Sequence, residues 1–77
     1  MTDYQPIDCS LHDRYEAAAV RRQTVEIAWS DGGGERTHTG RITDIGAEDG
    51  AEFMTLDGRV RVRLDRISSF REEGQAG

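Results

Sequence analysis

The stretch Thr24-Val25-Glu26-Ile27-Ala28-Trp29-Ser30 alternates apolar and polar residues, and Arg59-Val60-Arg61-Val62-Arg63-Leu64 repeats the pattern near the other end of the chain. Side chains along a strand point alternately to opposite faces, so this period of two predicts half-buried strands. Val25, Ile27 and Trp29 fall on the core face of the first strand, and Val60, Val62 and Leu64 on that of the fourth. Arg59, Arg61 and Arg63 then line the opposite face of the fourth. Between these strands, Asp31-Gly32-Gly33-Gly34 reads as a turn and Arg36 to Ile45 as a second strand, with Gly40 either bending it or admitting another backbone. Gly46 to Gly50 reads as a polar loop, Glu52 to Leu56 as a third strand, and Asp57-Gly58 as a tight hairpin. Phe53, Met54 and Leu56 do not alternate cleanly, so a bulge at Gly58 would shift the register of the third strand against the fourth. Ile67 to Phe70 fits a short fifth strand.

The N-terminal quarter has a different period. Leu11, Tyr15 and Ala18 recur at helical spacing, Ala17-Ala18-Ala19 has high helix propensity, and Arg21 with Arg22 suits the negative end of a helix dipole. Ser10 followed by Asp13 predicts a capping box, which places the helix at about Leu11 to Arg21. Its core face would carry Leu11, Tyr15 and Ala18, leaving His12, Asp13 and Glu16 toward solvent. Residues 71–77 lack an apolar anchor and are expected to be a disordered tail behind a single domain of residues 1–70.

At 77 residues the chain buries a small core, about 60% of what its unfolded form exposes, with no room for a deep pocket. Cys9 is the sole cysteine, residues 1–3 lack a signal-peptide pattern, and no apolar run approaches the roughly 20 residues of a membrane span. These features lead us to expect a cytoplasmic protein, monomeric when free. The net charge is −5, all ten basic residues are arginine, and Asp3, Asp8, Asp13 and Glu16 stand against Arg14 alone in residues 1–20. Phosphate binding draws on basic residues, so this balance argues against a general nucleic-acid binder and for a basic partner.

No catalytic or metal signature is present, so neither an enzyme nor a cofactor is expected. His12 and His38 show no metal-ligand spacing with each other or with Cys9. The triple glycine after Asp31 is not followed by Gly-Lys-Ser/Thr or a helix start, as a phosphate loop would require. Cys9 reads as a small buried residue at the helix start, and Trp29 and Phe70 as core. His38 reads as an ordinary strand residue, whereas His12 could contact a partner beside Asp13.

Tyr4-Gln5-Pro6-Ile7-Asp8-Cys9, together with Val62-Arg63-Leu64-Asp65-Arg66-Ile67-Ser68-Ser69-Phe70, resembles the Rof (YaeO) family of inhibitors of the transcription terminator Rho. The resemblance spans residues 4–70. It implies a mainly β fold with one N-terminal α-helix, a small Sm-like five-stranded antiparallel barrel, which is also the order of elements read from the residues. An OB-fold would need a helix where this chain has only Asp57-Gly58. The resemblance further implies binding to Rho at its N-terminal RNA-capturing domain, blocking RNA loading and so opposing termination. The candidate partner-binding residues are Tyr4, Asp8, His12, Asp13 and Glu16; Asp13 and Glu16 fall where the family pattern has acids, Asp8 stands at its variable position, and His12 is included for its place beside Asp13. The acidic segment Gly46-Ala47-Glu48-Asp49-Gly50 departs from the family, where basic or amide residues stand. The competing reading is an Sm-like RNA-binding protein acting through the Arg59, Arg61 and Arg63 face, unless Glu52 and Asp65 neutralise that face.

Overall fold

A computed structural model describes residues 6–73. Helix α1 (Cys9–Val20) precedes β1 (Thr24–Ser30), β2 (Glu35–Glu48), β3 (Ala51–Leu56) and β4 (Val60–Arg63). A 3-10 turn over Leu64–Arg66 then leads into β5 (Ile67–Glu72). The strands form one antiparallel sheet in the order β4-β3-β2-β1-β5.

The fold is therefore mainly β with one N-terminal helix, as expected, but the sheet does not close into a barrel. Leu64, expected to end the fourth strand, is buried yet begins the 3-10 turn, so the backbone leaves the ladder there. β4 and β5 consequently end as the two edges of a bent, open sheet.

β2 makes the bend. Its first half pairs with β1 as far as Thr24↔Arg41, and its second half pairs with β3 from Ile42↔Leu56 onward, with the register slipping between Ile42 and Asp44. One strand thus hands the chain from one ladder to another, and the core fills the fold between them. Val25, Ile27 and Trp29 of β1, Ile42, Met54, Leu56, Val62 and Leu64 form it, and Tyr15 and Ala18 of α1 complete it. Alternation located the core residues of β1 correctly.

The bend is clasped by Asp57. Its carboxylate accepts from Arg41 N at 3.1 Å and from His38 Nε2 at 2.7 Å, and its own N–H donates to Arg41 O at 2.8 Å. Those bonds, His38 first and then the Arg41 amide, hold the carboxyl below the ordinary carboxylate range. A lowered acid stabilises the fold above its unfolded value near 3.8, and this contribution is lost only as pH falls through the lower folded value. Gly40 makes the clasp possible: a Cβ there would lie 2.7 Å from Asp57 Cγ and 2.9 Å from Oδ1. The close approach foreseen at Gly40 is real, but a carboxylate makes it rather than a backbone. Thr43, at the register slip, ties the same corner by donating to Thr55 O at 3.2 Å and accepting from Gly58 N at 3.0 Å.

Several local expectations need correction. The N-cap is Asp8, not Ser10: its backbone is extended, its carbonyl accepts His12 N at 3.0 Å, and Ser10 lies inside the helix with its hydroxyl donating to the Asp8 carboxylate. Asp13 is then too far along the helix to close a capping box. The loop expected at 46–50 shrinks to Asp49-Gly50, both at positive φ, because Gly46, Ala47 and Glu48 pair with Phe53, Glu52 and Ala51. At the other hairpin Asp57 and Gly58 do turn with positive φ, but Arg59 joins the loop and Leu56 pairs with Val60. The ordered chain also runs past Phe70. Arg71 and Glu72 pair with β1, and Glu73 N donates to Thr24 O at 2.7 Å. Residues 74–77 of the expected tail lie outside the described residues.

The helix ends with Arg22 N donating to Ala19 O and Gln23 N to Ala18 O, a closure that places Arg22 at φ 56. That left-handed conformation costs an L-residue about 1–2 kcal/mol, which glycine does not pay. Arg22→Gly should therefore raise the unfolding free energy by about 0.5–1 kcal/mol in urea denaturation, once the greater chain entropy of glycine is offset. Gly40→Ala should lower the urea midpoint by displacing Asp57, and should cost less in an Asp57→Gly background. Equal costs in the two backgrounds would mean that the clasp is not the reason for glycine at position 40.

Candidate functional site

α1 presents its acids to solvent because its other side is anchored. Tyr15 and Ala18 are buried, and Leu11 and Ala19 pack against the core. The Tyr15 ring meets Phe70 edge-on at 4.9 Å between centroids, and burial pushes the phenol pKa up, opposed by the neighbouring charge of Arg14. Arg14, the cation within the helix, lies over the Phe70 ring at 5.2 Å from its centroid. Asp8, Asp13 and Glu16 remain exposed, Asp8 at the helix start and Asp13 and Glu16 one turn apart along it, forming the acidic band of α1.

His12 does not point freely to solvent as expected. Its side chain is 23% exposed, its Nε2 donates to Glu52 Oε2 of β3 at 3.1 Å, and its Nδ1 lies 3.8 Å from Glu16 Oε1. The histidine thereby ties the helix to the sheet and brings Glu52 alongside the helical acids. Ile7, Cys9, His12, Asp13 and Glu52 surround a shallow hollow of about 290 Å³. Glu52 was not legible as part of this face, since only the tertiary packing of α1 on the sheet places it there. Cys9 is exposed rather than buried, because the helix begins at this residue and Ile7 and Leu11 take the core contacts. Tyr4 lies outside the described residues. The structure thus brings His12 and Glu16 together, sets Asp13 beside them at the hollow, places Asp8 at the helix start with its carboxylate on Ser10, and leaves Tyr4 undescribed.

Among the described residues no arginine pairs with Asp8, Asp13 or Glu16. Several acids elsewhere do meet arginines: Glu48 with Arg61 at 2.5 Å, Asp65 with Arg63 at 2.7 Å, Glu26 with Arg71 at 3.2 Å, and Asp31 with Arg36. The Gly33 amide, followed by Arg36, keeps the Asp31 carboxyl below its ordinary range. His38, read as an ordinary strand residue, is instead committed to Asp57.

The arginine face is broken up. Arg59 sits in the β3–β4 turn, Arg61 is exposed on β4, and Arg63 is half-buried and held by Asp65 through two bonds of 3.0 and 2.7 Å. An aromatic meets these arginines. The Arg61 guanidinium lies 4.1 Å from the centroid of the Phe53 ring. The undecided register between β3 and β4 hid this pairing in the sequence; it is now fixed by Phe53↔Arg63 and Thr55↔Arg61.

Among the described residues no cluster of three or more His, Cys, Asp or Glu could hold a metal ion, and no helix is long and apolar enough to cross a membrane. Because Tyr15 is the largest side chain anchoring α1, Tyr15→Ala should cost about 3–5 kcal/mol in chemical denaturation and reduce the helical circular dichroism signal. A cost below about 1 kcal/mol would mean that the acidic band does not depend on this anchor. Comparison with known families, curated proteins and solved structures yields no match.

Proposed function

We propose that this protein inhibits the transcription terminator Rho by occupying its N-terminal RNA-binding domain through the acidic face of α1. The observation that carries the reading is the band Asp8, Asp13 and Glu16, exposed and without an arginine partner among the described residues, on a helix fixed by Tyr15 and His12. A cleft that captures single-stranded RNA combines basic side chains with stacking platforms, and anchored carboxylates can engage those basic groups in place of phosphates. The resemblance of residues 4–9 and 62–70 to the Rof family supports the same partner. In this reading the helix followed by five bent strands and a 3-10 turn before β5 is an Sm-like arrangement, left open between β4 and β5. The protein acts in the cytoplasm as a monomer, without cofactor or catalysis, and Tyr4 adds to the contact made by the helix.

RNA binding along the whole Arg59, Arg61 and Arg63 face is the weaker alternative, because Arg59 leaves the strand and no continuous arginine stripe remains. Calorimetric titration of purified Rho without RNA separates the two. Glu16→Lys should weaken Rho binding at least about tenfold, since it sets like charges against a basic cleft, while Arg61→Glu should bind as the parent does. Rho's RNA occupancy should fall on addition of the protein, with its nucleotide affinity unchanged. A folded Glu16→Lys variant with parental affinity, alongside loss of binding by Arg61→Glu, would move the interface to the sheet and overturn the assignment.

A further inference from the structure

A second surface, which the helix does not share, lies where the end of β1 approaches β3, β4 and the 3-10 turn. Trp29, Asp31, Phe53, Arg61, Arg63 and Arg66 border an open cleft of about 300 Å³, contributed by β1 and its turn, β3, β4 and the 3-10 turn. Adjacent residues of a strand project to opposite faces, and β3 uses this directly: Glu52 meets His12 of α1, whereas Phe53 meets Arg61. The acidic band and this cleft therefore have no residue in common.

Three features distinguish the cleft from an ordinary solvated face. First, Arg61 lies over Phe53, so a planar cation and an aromatic ring adjoin at the cleft, both of them groups on which a base can stack. Arg61 is exposed, and its contact with Glu48 uses a single nitrogen of a guanidinium that carries five N–H donors. Second, Arg63 is oriented by both oxygens of Asp65, whose side chain is only 4% exposed. A carboxylate buried that far is costly unless it is paired, and a two-point contact fixes the guanidinium at the cleft instead of leaving it to sweep through solvent. Third, Trp29 borders the cleft while remaining 8% exposed, which gives one end an apolar wall.

The geometry points to a binding site for one nucleotide, with its base on the Arg61–Phe53 pair and its phosphate toward the arginine-lined end of the cleft. Stacking decides this ligand over an acidic peptide. Carboxylates could meet the arginines, but only a planar ring system uses the exposed guanidinium plane as well. The nucleotide could be free or part of a single strand, and both present the same chemistry to the cleft. The net charge of −5 belongs to the whole chain, so the affinity is expected to rest on stacking more than on counterion release and to depend only shallowly on salt.

Trp29, the sole tryptophan, reports from the cleft wall. Its fluorescence would be followed while the full chain, without Rho, is titrated with uridine monophosphate, with hexauridylate or with a hexaglutamate peptide. Saturable quenching by either nucleotide ligand and not by the peptide is expected. Quenching by the mononucleotide identifies a free-nucleotide site, and quenching by the hexamer alone identifies a strand site. Arg61→Gln and Phe53→Leu, the latter keeping apolar bulk without a ring, should each weaken binding about tenfold, whereas Glu16→Gln should leave it unchanged. Absence of saturable quenching, equal binding of hexaglutamate, or parental affinity in folded Arg61→Gln and Phe53→Leu would overturn the site. None of these outcomes depends on whether the protein binds Rho.

Discussion

The constraint on which this structure rests is that β2 must serve two partners. Its fourteen residues leave β1 and join β3 within a few positions, and the core lies between the two ladders only because the strand turns there. Backbone hydrogen bonding alone would favour a straight ladder. What holds the turn is a set of short polar contacts from the β3–β4 loop, with Asp57 reaching to Arg41 and His38 and Gly58 to Thr43. The absent side chain of Gly40 is the space into which the Asp57 carboxylate fits. Packing of Ile42 against Leu56 and Val62 follows from that corner, and so does the seat on which Tyr15 and Ala18 hold the helix.

This dependence explains which parts of the fold are legible in sequence. β1 sits between two neighbours with one face on the core, so its alternation is clean and Val25, Ile27 and Trp29 are buried as the pattern implies. β2 carries one fully buried residue, Ile42, and its remaining length is exposed or half-buried. Its end at Glu48 is fixed by cross-strand pairing with Ala51 and not by any apolar residue of its own, so a reading based on hydrophobicity stops early at Ile45. The helix start fails for a related reason. Asp8 and Ser10 are both good caps, and local propensity does not choose between them. In the structure Asp8 takes the cap position and Ser10 binds its side chain.

The acidic face shows the same division. That Asp13 and Glu16 share the exposed side of the helix follows from helical spacing and the apolar positions of Tyr15 and Ala18, whereas Asp8 stands at the cap that starts it. The position of His12 does not follow, because its partner Glu52 is forty residues away and meets it only after α1 has settled on the sheet. A residue read as solvent-facing is thereby a structural tie, and Glu52 of β3 comes to stand beside the helix. The alternation of β3 connects the two: moving its register by one residue would exchange Glu52 and Phe53 between faces, removing the partner of His12 and the platform of Arg61 together.

Net charge is a poor guide to what each of these surfaces meets. At physiological ionic strength charges interact over about 8 Å, so a ligand in contact with one face senses the groups lining that face and little of the chain's total. On α1 the acids have no arginine partner among the described residues, and the local field is negative. At the cleft each ionised pair is nearly neutral, and what remains available to a ligand is directional: guanidinium planes, N–H donors and an aromatic ring. Desolvating matched charges in such a cleft costs less than desolvating isolated ones, and stacking is attractive without requiring net charge. An acidic protein can therefore hold a negatively charged band on one face and a surface suited to planar groups on the other, with β3 supplying a residue to each.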